Sequence, residues 1–163
     1  MIRFHHQVLA ADSGDTELQA QVAALVPRVR ELTELLVDDL GVTDVGARFD
    51  GVVALHPTCH SLRLLEIGDR PRRLLDGVEG LRRVDLAGAD ECCGFGGTFA
   101  VKNAEVSVAM GADKLDAIAA SGADVLTAAD TSCLLHLGGM LARASSPTRV
   151  MHLAEILAGY RPG

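Results

Sequence analysis

The 163-residue chain carries 22 acidic against 15 basic residues, for a formal net charge of −7 and a sequence pI near 5.2. Its dispersed arginines and negative field argue against a nucleic-acid partner. No run reaches the roughly 18 apolar residues needed to cross a bilayer, so no transmembrane segment is expected. The opening Met1-Ile2-Arg3-Phe4-His5-His6 is too polar for a signal peptide, and four cysteines are too few for a disulfide scaffold, which together point to a reducing cytoplasm.

Residues 1–14 show no clear period and read as a polar arm. From Leu18 an apolar stripe runs through Val22, Leu25, Val29, Leu32, Leu36 and Leu40 at three- and four-residue steps. That spacing predicts a core-packed helix in two pieces, divided near Pro27 and stopped by Gly41. From residue 51 the pattern becomes strand, loop, helix, repeated. Val52-Val53-Ala54-Leu55-His56 is a first strand, closed by Pro57, with helical stretches over 61–65 and 70–78. Residues 81–86 are a second strand and 103–120 a long helix burying Val106, Met110, Leu115 and Ile118. Residues 124–128 form a third strand, and Asp130-Thr131-Ser132 caps a helix containing Cys133. Residues 148–151 form a last strand, followed by a closing helix over 152–158.

Strands joined by helical crossovers pair in parallel, so the expected fold is α/β: a three-layer parallel sheet of about four strands with helices on both faces. Each of Cys59, Cys92, Cys93 and Cys133 follows a predicted strand. In such a sheet those loops all leave from the carboxyl edge, where ligands bind. Although 32 residues separate Cys59 from Cys92 and 39 separate Cys93 from Cys133, topology alone draws the four together.

Adjacent cysteines are poor partners for each other, because a disulfide across one peptide bond forces an eight-membered ring on the backbone. Distant disulfides fit a reducing compartment badly, and four purely structural cysteines at successive strand ends would be a coincidence. Four thiolates satisfy tetrahedral zinc, although zinc sites usually draw on C-x-x-C knuckles. An iron–sulfur cluster suits the layout better, since it accepts thiolates from separate loops and backbone N–H groups near its sulfurs. Gly94, Gly96 and Gly97, without side chains, allow their amides to approach. His136, three residues after Cys133, is a candidate fifth ligand or proton donor. His60, Lys102 and His152 are candidate contacts to a substrate or to the cluster's surroundings, while His5 and His6 read as solvated. The glycine loop matches neither G-x-G-x-x-G nor a Walker spacing.

His56-Pro57-Thr58-Cys59-His60, Glu91-Cys92-Cys93-Gly94-Phe95-Gly96-Gly97-Thr98-Phe99 and Asp130-Thr131-Ser132-Cys133 together resemble the cysteine-rich CCG domain. That family includes the B subunit of heterodisulfide reductase and the C subunit of anaerobic glycerol-3-phosphate dehydrogenase. The resemblance is greatest to its lactate-utilization branch. It implies an iron–sulfur electron-transfer subunit of an L-lactate-oxidising system, with a four-iron, four-sulfur cluster on Cys59, Cys92, Cys93 and Cys133. Companion iron–sulfur subunits are the implied partners. Such proteins usually carry two cysteine domains in tandem. Residues 1–45 are therefore expected to be the tail of a missing first repeat, and residues 46–163 the cysteine-rich domain, with the cluster readily lost from the isolated piece. The heterodisulfide reductase pattern ends in C-x-x-C where this chain has His136, so its five-thiolate cluster does not carry over. A zinc-stabilised structural or interaction module without redox activity is the alternative.

Overall fold

The computed structural model describes residues 2–159; Met1 of the expected arm and residues 160–163 of the expected domain lie outside them. Four strands, β1 (Arg48–Leu55), β2 (Glu79–Val84), β3 (Val125–Ala128) and β4 (Arg149–His152), form one sheet in the order β2-β1-β3-β4. Every pairing is parallel, as the strand-helix grammar predicts. The two central strands are the apolar runs: all of β3 is buried, and Val53, Ala54 and Leu55 end β1. Strands covered on both faces lose the apolar–polar alternation of a half-solvated sheet. The edge strand β2 instead carries Arg82 and Arg83, a charge pattern that discourages further strand pairing.

Side-chain alternation divides the core into two layers. Val53, Leu55, Val125 and Met151 face Leu74 and Leu75 of α4 (Arg70–Asp76) and Leu153 and Ile156 of α8 (Leu153–Leu157). Ala54, Leu126 and Ala128 face the other way, onto Ile118 of α6 (Ala104–Ser121) and Leu134, Leu137 and Leu141 of α7 (Thr131–Arg143). Cys93 belongs to this second layer.

The N-terminal region departs from expectation. Residues 5–13 are helical (α1, His5–Ser13), closed by Gly14 at φ 69°, with Ala10 buried. A second helix, α2 (Thr16–Leu25), begins where the Asp15 carboxylate accepts the N–H groups of Glu17 and Leu18. Pro27 does divide the stripe, which resumes as the single turn α3 (Leu32–Glu34) and a π-helical turn over Leu35–Asp39. The stripe is not the core-facing surface its spacing predicts. Of the stripe, Val22 is buried and Leu36 packs half-buried against the core, whereas Leu18, Leu25, Leu32 and Leu40 remain exposed.

Two other differences follow from close packing. The stretch 61–65 is a π turn. In α6 the buried residues are Ser107, Gly111, Lys114 and Ile118, while Val106 is exposed. The buried face is thus offset from the apolar one, because small residues let the cysteine loop and α7 come close. The Lys114 ammonium is accommodated by the Gly88 carbonyl, which accepts from Nζ at 2.5 Å. A short helix, α5 (Thr98–Lys102), precedes α6.

Candidate metal centre

The strand order places the thiols. Starting from β1 the chain moves outward to β2, and starting from β3 it moves outward the other way to β4. The carboxyl ends of β1 and β3 therefore flank the topological switch point, the usual ligand crevice of an open α/β sheet. Cys59 follows β1, and Cys133 lies in the first turn of α7 just after β3. The loop after β2 brings Cys92 and Cys93.

Each of these segments is fixed locally. Beside Cys59, the buried Thr58 hydroxyl oxygen accepts the Ser61 N–H at 3.2 Å, which starts the π turn. The Asp130 carboxylate accepts the Ser132 N–H at 2.8 Å and so caps the helix that carries Cys133. The Cys92–Cys93 loop is pressed against α6 at Gly94, whose φ is 90° and whose position leaves no room for a Cβ: one would stand 2.5 Å from the Ser107 carbonyl oxygen. In this position the Gly94 N–H points back to Cys92 Sγ at 3.4 Å.

The four thiols are free and form one interacting chain. Burial raises the Cys59 thiol above its ordinary pKa, and its contact with Cys92 raises it further; Arg63 opposes both, and Cys93 is also felt there. Cys93 and Cys133 share a hydrogen bond and divide a proton unequally. The Cys133 thiol donates to Cys93, which together with His56 and the Phe95 backbone N–H pulls Cys93 down to about 4 against the cost of burial. Cys133 shifts upward, first through that same bond and then through burial. Of the two, Cys93 is shifted toward the thiolate and Cys133 toward the thiol.

This division has a pH signature. Between about 4 and the unfolded thiol's value of about 8.5, native Cys93 binds fewer protons than the unfolded chain. Its stabilisation is therefore full above that window and is lost as pH falls through it. Cys133, shifted upward, contributes with the opposite sign: fully below about 8.5, and progressively less as pH rises above it. In the reduced, metal-free chain, thiolate ultraviolet absorbance is expected to persist well below pH 7 and to vanish there in Cys93→Ala. Loss of the signal near pH 8.5 in the unsubstituted chain would contradict the assignment.

His56, which from the sequence reads as the end of a strand and the start of the Cys59 motif, stands beside two of the thiols. Its ring is buried, and its donor atoms, Cys93 Sγ and Cys133 Sγ all lie within 4.8 Å of one another. The available signal was the two-residue period. Ala54 and His56 share the sheet face that carries Cys93, and His56 stands at the carboxyl end of a buried parallel strand.

The other sequence candidates are distributed differently. His136 packs between α6 and the cysteine loop, with its ring 6.0 Å from that of Phe95 and its Nε2 beside Gly111. His60 lines a separate groove of about 270 Å³ with Arg3, Val29, Arg30 and Leu65. His152 caps α8: its Nδ1 accepts the Ala154 N–H at 3.1 Å, and its own N–H donates to Glu155. Lys102 ends α5 on the exposed surface, and the cation that acts on Cys59 is Arg63. Gly96 and Gly97 have positive φ and are exposed. Among the described residues no helix is long and apolar enough to cross a membrane.

A family model for the CCG cysteine-rich domain matches residues 53–138, which hold all four cysteines. The chain is also similar to proteins named lactate utilization protein A. With that of Geobacillus kaustophilus it shares 48% identity over 144 residues, 88% of this chain and 60% of that protein. With that of an Exiguobacterium species it shares 52% over 127 residues, 78% of this chain and 52% of that protein. With that of Macrococcus caseolyticus it shares 46% over 144 residues, 88% of this chain and 59% of that protein. The chain thus spans about half to three-fifths of the length of these relatives. With the family model matching across the cysteine loops and the strands that position them, the chain belongs to the CCG cysteine-rich domain family.

Proposed function

We propose that this chain is an electron-transferring module of an iron–sulfur oxidoreductase working in the oxidation of L-lactate to pyruvate. The observation that carries this reading is the convergence of four free thiols from three strand ends on one switch point. Soft thiolates select zinc, copper(I) or iron–sulfur clusters over hard cations. Cys59, Cys92, Cys93 and Cys133 are the residues that would hold a four-iron, four-sulfur cluster. Such a cluster, when bound, accepts and releases single electrons at a potential set by ligands, hydrogen bonds and exposure.

The chain's own residues supply that setting. The Gly94 N–H donates to Cys92 Sγ, the Phe95 N–H helps to lower the Cys93 thiol, and Arg63 acts on Cys59. Burial of Cys93 keeps water from one side of the centre. The lactate assignment rests on the names of the relatives. In that setting companion iron–sulfur subunits exchange electrons with this one.

Anaerobic reconstitution with ferrous iron and sulfide tests the proposal. The expected product is a brown chain containing stoichiometric iron and sulfide, with a paramagnetic signal on reduction. A chain that stays colourless and takes up one zinc instead would establish the zinc-stabilised module.

A further inference from the structure

His56 is 1% exposed, and neither of its ring nitrogens has a hydrogen-bond partner that meets ordinary distance and angle limits. Each buried polar group left unsatisfied costs about 1–3 kcal/mol, so this imidazole is an expensive residue for the sheet to carry. The backbone explains where it sits, not why it is a histidine. Its main-chain N–H donates to the Thr127 carbonyl at 2.8 Å and simply extends the β1–β3 ladder. An aliphatic side chain would serve that purpose equally well.

What the ring does face is two sulfurs. Its donor atoms, Cys93 Sγ and Cys133 Sγ all lie within 4.8 Å of one another. Metal–sulfur bonds of about 2.3 Å and metal–nitrogen bonds of about 2.1 Å set tetrahedral ligands of one ion roughly 3.6–3.8 Å apart, about 1 Å closer than the outer limit here. The three donors therefore stand close enough to serve one metal centre. We propose that His56 is a metal ligand, binding through one ring nitrogen the same metal centre that Cys93 and Cys133 would hold and giving that centre a mixed imidazole–thiolate shell. The proposal rests on reading the thiol cluster as a metal centre and does not depend on which soft metal fills it. It also replaces the histidine that the Cys133 spacing favours, since His136 is outside the donor group and is walled in by Phe95 and Gly111. A neutral imidazole at this position brings less negative charge to the shell than a thiolate would, which leaves a cluster's reduction potential higher.

The test uses the whole chain labelled with ¹⁵N-histidine and reconstituted anaerobically with iron and sulfide. Unsubstituted protein is compared with His56→Phe, His56→Gln, His56→Cys and His136→Phe, each checked for folding by circular dichroism. Pulsed paramagnetic resonance of the reduced centre is expected to show the coupling of a directly bound imidazole nitrogen in the unsubstituted chain and in His136→Phe. The coupling should be lost in His56→Phe. It should also be lost in His56→Gln, which keeps a hydrogen-bond donor at that depth, so a mere donor is told apart from a ligand. His56→Cys should lower the midpoint potential. A fully loaded centre without bound-nitrogen coupling, or coupling that survives in His56→Phe, would overturn the assignment. If no iron is taken up, the iron–sulfur reading fails separately, and cobalt(II) titration decides the ligand question. Cobalt affinity is then expected to fall about tenfold or more in His56→Phe, but not in His136→Phe, and equal affinities would overturn the proposal.

Discussion

Serine at position 93 is expected to empty the centre of iron while leaving the sheet folded. The Cys93 thiol is drawn below its ordinary range by the neighbouring Cys133, His56 and Phe95 N–H. A serine hydroxyl is a hard, protonated donor at neutral pH and a poor substitute for a soft thiolate. Iron bound per folded chain should therefore fall at least about tenfold, since even the loss of a supporting group around a metal costs that much.

Stability should change far less. Cys93 is 1% exposed and packs with Leu86, Ile118 and Leu134, so the new hydroxyl costs about 1–3 kcal/mol if unpartnered. In a chain of this size that lowers Tm by roughly 2–12 °C, at about 2–4 °C per kcal/mol. The two apolar layers, and not the centre, carry the fold. Iron analysis beside a thermal melt separates the outcomes: iron retained at full stoichiometry would remove Cys93 from the ligand set. Loss of the helical circular-dichroism signal at room temperature would mean that the metal supports the fold.

Much of this was legible in the sequence because it is encoded locally. Uninterrupted apolar runs such as Val52–Leu55 identify strands buried on both faces, and the crossover lengths between them force parallel pairing. The convergence of the cysteines follows from those two facts. The order β2-β1-β3-β4 has no local signal, so the switch point between β1 and β3 emerges only in three dimensions. Spacing also misjudged faces. The leucine stripe has helical period yet stays largely exposed, because period reports a face and not what covers it. In α6 the apolar pattern pointed to Val106 and Met110, but the close contacts at Gly94 and Gly111 turn Ser107, Gly111 and Lys114 inward. His56 escaped notice for a related reason. Its meaning depends on Cys93 and Cys133, 37 and 77 positions later in the chain, and the nearer Cys133–His136 spacing offered a more obvious pairing.

Alanine at position 94 is expected to be the most damaging glycine replacement in the cysteine loop. At φ 90° an L-residue is strained whatever its surroundings, and the new Cβ would stand 2.5 Å from the Ser107 carbonyl oxygen and 3.1 Å from Met110 Cβ. The carbonyl belongs to the 18-residue helix α6, which cannot yield as a flexible side chain does. Left-handed strain alone costs about 1–2 kcal/mol; overpacking against backbone adds about 1–3 kcal/mol. A combined loss of about 3 kcal/mol lowers Tm by roughly 6–12 °C. Gly97→Ala is the matched control, because its φ is 60° but its Cβ would meet open space. It should cost only backbone strain, which at φ 60° and ψ −115° is about 1–3 kcal/mol, lowering Tm by roughly 2–12 °C without displacing the loop from α6.

The two variants should differ in chemistry as well. Relief of the Gly94 clash requires the loop to lift from α6, which carries the Gly94 N–H away from Cys92 Sγ and moves Cys93 from its place beside Cys133. Gly97 makes neither contact. Gly94→Ala should therefore bind iron more weakly and lose the low-pH thiolate absorbance, while Gly97→Ala keeps both. Equal melting temperatures and equal iron contents for the two would show that the loop does not rest on α6. The close approach at Ser107 would then not be what positions the cysteine pair.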